Sequence, residues 1–448
     1  MLDCSLVPVE TGIIRNDDQW IFRPDMDAAR TGAPQERSGM TPGLIDALRG
    51  RSVYIETYGC RYNFGDTAKL VEVLRHSGST IVNNPGEADA VIVNTCTVVG
   101  PTERRMLRRL SAFRDNDLYV TGCMPGVQRE AILAVCSPTF IPPDMIQQLY
   151  CSVGTVPGGG VGIVQLAQGC AGSCAYCITR LARGPLKSFP AEEILAQVRA
   201  FVQAGTFEIQ LTAQDVSAWG MDSGQSLSEL LVAIDRIPGH HRIRVGMMNP
   251  ATVKGQTHEL IEAFSGDHIF RFIHLPVQSG SDAVLARMGR GYTVAEFEEV
   301  VRSFRKQYPE ITVATDMIVG FCGETEADFS SSVDLIRRVK PAKVNVTRYS
   351  RRPFTPVSGE KDYPDSVKKD RSRIMNAVAE EVYASINAVQ LGKTISFIVT
   401  ETLRKGSVMA RSSQYTGIII HEDLPAGFRG EAILIQDRKY FFIGERVR

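Results

Sequence analysis

From Ser52 to Ser350 one unit recurs: a short β-branched run, then a longer stretch with apolar residues at helical spacing. SVYIETY (52–58), AVIVNT (90–95) and LYVTG (118–122) are the first three runs. GIVQLAQ (162–168), FEIQLTA (207–213), RIRVGMM (242–248), FIHLPVQ (272–278), ITVATDMIV (311–319) and KVNVTRYS (343–350) are the next six. Such runs, alternating with helices, read as buried parallel strands. Six βα units make a curved, open barrel, two short of a closed (βα)8. From about Gly392 the rhythm changes to short strands at close spacing with no helices between them: ISFIVTE, SVMARSS, YTGIIIH, GEAILIQD and YFFIGERV. The predicted fold class is therefore α/β, with an N-terminal parallel-sheet domain, a central partial (βα)6 barrel and a small C-terminal antiparallel β-barrel. The expected boundaries are an extension over 1–51 and domains over 52–151, 152–390 and 391–448, with the Gly/Pro-rich SVGTVPGGGVG (152–162) as a linker.

Bulk properties exclude more than they assign. At 448 residues the chain is too long for one typical domain. Lys+Arg and Asp+Glu are both 50, so any basic surface must come from local segregation. No run approaches the ~20 apolar residues of a membrane helix. The N-terminus carries early acids and lacks the basic region and apolar core of a secretory signal, so a cytoplasmic location is expected. DAARTGAPQERSGMTPG reads as a loop or disordered arm, and Met40 offers a second candidate start. In a reducing compartment the 10 cysteines are metal ligands, reactive thiols or core residues rather than a disulfide framework.

Six of those cysteines fall just past predicted strands. Cys170, Cys174 and Cys177 form C-x3-C-x2-C after the strand 162–168. A structural zinc normally takes four protein ligands, and a cubane has four irons to ligate. Three close thiolates therefore leave either a remote fourth ligand or one coordination position open. Chemistry on parallel α/β folds gathers outside the C-terminal strand ends, which is where this loop falls. Cys60, Cys96 and Cys123 follow the strands 52–58, 90–95 and 118–122. In one parallel sheet those ends share an edge, so thiols 36 and 27 residues apart can converge. Nearby helix N-termini favour thiolates.

GCAGSCAYCITRLARG (169–184) resembles the three-cysteine loop of the radical S-adenosylmethionine superfamily. The further stretches YIETYGCRYN, VNTCTV, TGCM, LTAQDVSAWG, HLPVQSGSDAVLARMGRGYT, TDMIVGFCGET and YSRRPFTP narrow the resemblance to the methylthiotransferases, from Ser52 to the C-terminus. TRLARGPLKSFP, with Ala182 and Leu186, is similar to the archaeal and eukaryotic type, which acts on N6-threonylcarbamoyladenosine 37 of tRNA. The resemblance implies two [4Fe-4S] clusters. Cys170, Cys174 and Cys177 would hold the one whose open iron binds S-adenosylmethionine and cleaves it to a 5'-deoxyadenosyl radical. Cys60, Cys96 and Cys123 would hold the one that carries the sulfur or methylthio group. The final barrel resembles the family's RNA-binding TRAM domain. The implied partners are the tRNA anticodon loop, a reductant protein and a sulfur donor, with no membrane.

The resemblance also places Tyr176 near the adenine, and the DMIVG strand, with Asp316, Ile318 and Gly320, against the same ring. Gln214 and Asp215, and likewise Gln278 and Ser279, end strands at the barrel mouth, where polar groups could bind the methionine ammonium or ribose. His274 reads as a satisfied core histidine. Cys322 and Phe354 depart from the family, which usually has Pro and Gly there. The acid-free run 337–352, the helix face of Arg104, Arg105, Arg108 and Arg109, and aromatics Tyr415, Phe428 and Tyr440 are candidates for RNA contact. Two alternatives share most of these features. One is a methylthiotransferase acting on another tRNA adenosine or a ribosomal-protein side chain; the other is a non-catalytic iron-sulfur RNA-binding protein.

Overall fold

The first β-branched runs form the middle of one sheet because each strand is covered on both faces. In this computed structural model, which describes residues 13–16, 19–22, 42–98, 100–153 and 161–447, the strands are β1 (Ile13–Asn16), β2 (Gln19–Phe22), β3 (Ser52–Thr57), β4 (Thr80–Val82), β5 (Ala90–Thr95), β6 (Leu118–Gly122) and β7 (Thr139–Phe140). Their order is β1-β2-β3-β5-β6-β7, with β4 also on β3. Val53, Ile55 and Ile92 pack on one face with Leu70 and Leu74, and Tyr54, Val91, Val93 and Val120 pack on the other with Met106 and Leu110. Strands β3 to β7 are parallel, but the sheet as a whole is mixed. β1 and β2 form an antiparallel hairpin, and Trp20 and Ile21 pair with Thr57 and Glu56. The N-terminal extension thus supplies an edge hairpin, ahead of the stretch read as a loop. Its strands are the two short runs IIRN and QWIF. The polar stretch 27–41, Met40 within it, and linker positions 154–160 lie outside the described residues.

The chain divides into two compact units, residues 1–163 with 181–183, and residues 164–180 with 184–448. The second contains the barrel strands in chain order, the first of them from Val164 on. β8 (Val161–Gln165) begins the layer, and the short β9 (Ala167–Gln168) and β10 (Lys187–Ser188) pair beside it. β11 (Glu208–Thr212), β12 (Arg242–Val245), β13 (Phe272–His274), β14 (Thr312–Val319) and β15 (Lys343–Arg348) follow. They form two three-stranded sheets, β12-β11-β8 and β13-β14-β15, joined by single bridges at Ile243–Ile269 and Met247–His274. That is an open curved layer of six, as the rhythm predicts.

The last strands, β16 (Thr394–Arg404), β17 (Ser407–Arg411), β18 (Gly417–Ile420), β19 (Arg429–Asp437) and β20 (Phe441–Arg446), close into a barrel ordered β16-β17-β18-β20-β19. It is not wholly antiparallel: β18 and β20 pair in parallel, Ile418 against Phe442. Closure of five strands sets that pairing, and strand spacing carries no sign of it. Phe397, Val399, Ile418, Leu434 and Phe442 fill the interior.

Both barrels belong to one unit, and Tyr415 forms part of their seam. Its backbone is left-handed (φ 65°). Its hydroxyl donates to Glu208 Oε1 at 2.5 Å, and its ring lies 4.9 Å from Phe270 and 5.1 Å from Phe272. Glu208 is fully buried. Tyr415→Ala is expected to cost ~3 kcal/mol, and Tyr415→Phe about 1–3 kcal/mol by leaving that carboxylate short of a donor. Urea unfolding midpoints measure both; a Phe variant as stable as wild type contradicts the role given to the hydroxyl.

Candidate functional site

In the first unit three loops meet at the C-terminal edge of β3, β5 and β6. Cys60 precedes the helix Arg61–His76 and is exposed, while Cys96 and Cys123 are buried. Gly59, at φ 109°, admits this approach: a Cβ there would come within 2.8 Å of Cys96 Cβ. Asn63 knits the loops together. Its amide nitrogen donates to Tyr58 O and Thr95 O, each at 2.8 Å, and Cys123 Sγ lies 3.7 Å from its Oδ1. Burial pushes the Cys96 thiol up to about 12, with Cys123 and Cys60 adding to the rise. Burial also raises Cys123, against the opposing pull of Arg183.

Arg183 is the cation of this site. Leu181–Arg183 belong to the first unit although they follow Cys177 in the chain. Nε donates to Cys123 Sγ at 3.2 Å, and Nη2 donates to Asn63 Oδ1 and Asp66 Oδ2, both at 2.8 Å. Burial alone would lower its pKa, but Asp66 and Cys123 hold the guanidinium firmly charged. Nη1 is buried and has no partner among the described residues. An orphaned, charged donor beside Cys123, with Cys60 and Cys96 on the neighbouring loops, would suit an anionic group held by those thiolates.

In the second unit Gly169 opens the cysteine loop at φ 77°, where a Cβ would meet Pro185 O at 2.0 Å. Cys170 Sγ accepts from Gly172 N at 3.3 Å, and Cys174 Sγ accepts from Arg290 Nη1 at 3.1 Å. Burial pushes Cys170 up to about 11, with Asp215 and the other two thiols contributing. Backbone bonds clamp the loop on both sides: Ala175 N to Met288 O at 2.9 Å, and Val357 N to Ala175 O at 3.4 Å. Among the described residues no group of three or more His, Cys, Asp or Glu is arranged to hold a metal ion. A cluster takes each thiolate on a different iron, so these thiols need not converge on one atom.

The other expected residues divide by what they touch. Tyr176 packs edge-on to Phe321, ring centroids 6.1 Å apart, with Val284, Met288 and Ile318 in the same cluster. Gln214 has a buried Oε1 with no partner among the described residues. Gln278 holds a left-handed backbone (φ 71°), bridged to β14 by its N to Asp316 O and by Ile318 N to its own O, both 2.9 Å. Such strain in a non-glycine residue is characteristic of functional loops. Asp215 accepts from Ser217 Oγ at 2.7 Å, Thr252 Oγ1 at 2.9 Å and Asn249 N at 3.2 Å, so its oxygens organise the loop. Asn249 Oδ1 in turn accepts from Arg290 Nη2 at 3.1 Å. Ser279 Oγ accepts from Ser281 N at 3.2 Å and lies 3.4 Å from Ser332 Oγ. Asp316 accepts from His274 Nε2 at 2.8 Å and Asn345 Nδ2 at 2.7 Å, which gives the histidine the satisfied setting expected of it. Burial works against the charge of Asp316, but His274 and Asn345 bring its carboxyl below the usual range. Gly320 N donates to Glu324 Oε2 at 2.7 Å, and Glu324 is paired with Arg371.

Sequence reasoning missed Asn63, Asp66, Arg183, Asn249 and Arg290. Each lies in or beside a quoted stretch, but its partner is remote in the chain. The basic candidates are also redistributed. Arg109 pairs with the buried Glu56, Arg337 with Asp334 and Glu381, and Arg338 with Glu298. Arg352 is buried, whereas Arg348 and Arg351 face solvent. Tyr415 is taken up in the seam and Phe428 lies beside Phe397, while Tyr440 stays 46% exposed. Phe354 has φ 64° and is 73% exposed. The left-handed backbone explains why glycine suits this position; any other residue there costs about 1–2 kcal/mol.

Comparison with known proteins places the fold and the family. Residues 164–336 match the Radical SAM superfamily, and residues 52–139 match Uncharacterized protein family UPF0004. The fold is shared with the radical S-adenosylmethionine methyltransferase TsrM from Kitasatospora setae, at TM-score 0.51 and 14% identity, over 69% of this chain and 77% of that one. The protein is thus a radical S-adenosylmethionine enzyme by fold and cysteine loop, a class that implies S-adenosylmethionine and a [4Fe-4S] cluster. More narrowly, the chain belongs to the threonylcarbamoyladenosine tRNA methylthiotransferase family. It is 40% identical to the probable threonylcarbamoyladenosine tRNA methylthiotransferase of Pyrococcus horikoshii, over 88% of this chain and 99% of that protein. It is 29% identical to the human threonylcarbamoyladenosine tRNA methylthiotransferase, over 92% and 76%.

Removing Arg183 leaves Asp66 buried without its counter-ion, so Arg183→Ala is expected to destabilise the first unit by ~3–5 kcal/mol. Arg183→Lys should recover little, since one ammonium cannot replace the guanidinium fork that reaches Cys123, Asn63 and Asp66 together. Urea midpoints of the metal-free protein test this; a loss below about 1 kcal/mol, the scale of a surface pair, contradicts it.

Proposed function

We propose that this protein installs a methylthio group at C2 of N6-threonylcarbamoyladenosine 37 in tRNA. Cys170, Cys174 and Cys177 hold the [4Fe-4S] cluster that meets S-adenosylmethionine, and Cys60, Cys96 and Cys123 hold a second. The observation that carries this reading is the pair of cysteine triads past parallel strand ends, each with a buried arginine on one of its thiols. When bound, the cofactors supply the radical and the sulfur that an unactivated aromatic C2–H requires.

The chain's own residues bind, orient and exclude water. Arg290 and Arg183 offset thiolate charge at Cys174 and Cys123. The Tyr176 cluster supplies an apolar wall for the adenine. Gln214 offers a free acceptor to the methionine ammonium. Asp215 acts through Asn249 and Arg290 as a positioning residue. The RNA is held by exposed Arg348 and Arg351 and by Phe354, whose loop is tied at Val357 to Ala175 in the cysteine loop. A reductant protein and a sulfur donor complete the system as partners.

Anaerobic reconstitution should give about eight irons per chain, four per cubane. Alanine at Cys170, Cys174 and Cys177 should leave about four and abolish S-adenosylmethionine cleavage. A single zinc with no sulfide contradicts the assignment. Phe354→Ala should raise KM for tRNA about tenfold, as loss of one stacked base does (~1–3 kcal/mol), and Phe354→Trp should restore it. If Ala and Trp variants share the wild-type KM, no base stacks there.

A further inference from the structure

Three guanidiniums crowd one cleft of the second unit, at the opposite ends of the strands from the cysteine loop. Arg242 begins β12, Arg271 precedes β13 and Arg429 begins β19, so the cleft lies on the seam between the two barrels. These residues line a cavity of about 590 Å³, together with His240, His241 and His268. Among the described residues none of the three arginines forms an ion pair. Arg271 donates to the carbonyls of Gly266 (3.0 Å), Ile269 (2.8 Å) and Ser265 (2.9 Å), and Arg242 donates to the carbonyl of Asp267. Two carboxylates stand near. Asp267 lines the cleft, and Asp235 holds the backbone N of His268 at 2.8 Å. Burial, followed by the charges of Arg429 and Arg271, pulls Arg242 below the ordinary arginine range, and Asp267 and Asp235 only partly offset this.

The wall behind the arginines also has unused polarity. His241 is fully buried, and neither ring nitrogen has a partner among the described residues. Its ring stacks on His268 at 4.2 Å, 5° from parallel. The ring nitrogens of His268 are already occupied, by Asp235 O at 2.8 Å and Gly239 O at 3.2 Å. Like charges held together with carboxylates near but not paired to them raise the energy of the cleft, and a bound anion relieves it. Guanidinium forks match phosphate oxygens in geometry, and histidine N–H groups add donors.

We propose that this cleft is a phosphate-binding site, and that its occupant is a backbone phosphodiester of the RNA substrate. The site itself is independent of the reading above; the RNA as phosphate source rests on it. The cleft would grip RNA away from the reacting nucleotide and set how the substrate lies along the protein. It would contribute a salt-dependent share of affinity.

The test uses the full-length, cluster-loaded protein with Arg429→Gln and Arg242→Gln, and pyrophosphate and intact tRNA as probes. Arg429 is exposed, so its variant should fold even if the half-buried Arg242 variant does not; melting temperatures check both. Pyrophosphate should bind wild type saturably and Arg429→Gln at least fivefold more weakly. The slope of log affinity for tRNA against log salt should fall by about one in the same variant. If pyrophosphate binding weakens while the tRNA slope is unchanged, the phosphate site stands and the RNA assignment is overturned. If wild type binds pyrophosphate but no tRNA at all, the proposed function fails and the cleft does not. No saturable pyrophosphate binding, with equal tRNA slopes in wild type and variant, overturns the proposal.

Discussion

The first unit depends on one buried guanidinium. Arg183 meets Asp66, Asn63 and Cys123 at once, with no exposed side-chain surface. A charge so placed is tolerated only because Asp66 neutralises it and the remaining donors are aimed at polar atoms. Those polar atoms belong to the cysteine site. Asn63, which Arg183 orients, also bonds the carbonyls of Tyr58 and Thr95, so it fixes the loops that carry Cys60 and Cys96. Because Arg183 follows Cys177 by six residues, the segment that leaves one cysteine loop supplies the cation for the other.

Arg290 has the same part in the second unit. It joins Cys174 Sγ to Asn249, and Asn249 is held by Asp215. The strand-end carboxylate is thereby linked to Cys174 through two intermediates, besides its direct electrostatic effect on Cys170. In the first unit a thiol pushed up by burial, Cys123, is paired directly with a cation that favours the deprotonated form. Glycine does the complementary work. At Gly59 and Gly169 a side chain would collide with the neighbouring loop.

The strands, and the place of six cysteines just past their ends, were legible because both follow from local pattern. β-branched runs between helical stretches force parallel pairing, and parallel pairing puts every residue just past a strand on one edge. The arginines were not legible. Arg183 lies 117 residues from Asp66, and Arg290 lies 116 from Cys174. Only the closed fold brings such partners together, and spacing within a motif carries no trace of it. The parallel β18–β20 pair was hidden for the same reason, being set by barrel closure. The edge hairpin β1–β2 was legible and overlooked, since polar composition further along outweighed two short apolar runs. The long basic stretch was legible only in part, because a charge run says nothing about partners: Arg337 and Arg338 face acids and Arg352 is buried, which leaves Arg348 and Arg351 facing solvent.

The central claim is that the two triads divide the work, one meeting S-adenosylmethionine and the other supplying sulfur. Nucleoside mass spectrometry tests it most directly, on tRNA from a strain lacking this gene, complemented with wild type or with alanine at Cys60, Cys96 and Cys123. The account predicts 2-methylthio-N6-threonylcarbamoyladenosine with wild type and only the unthiolated nucleoside with the variant, while the purified variant still forms 5'-deoxyadenosine. Full methylthiolation by the triple variant would contradict it.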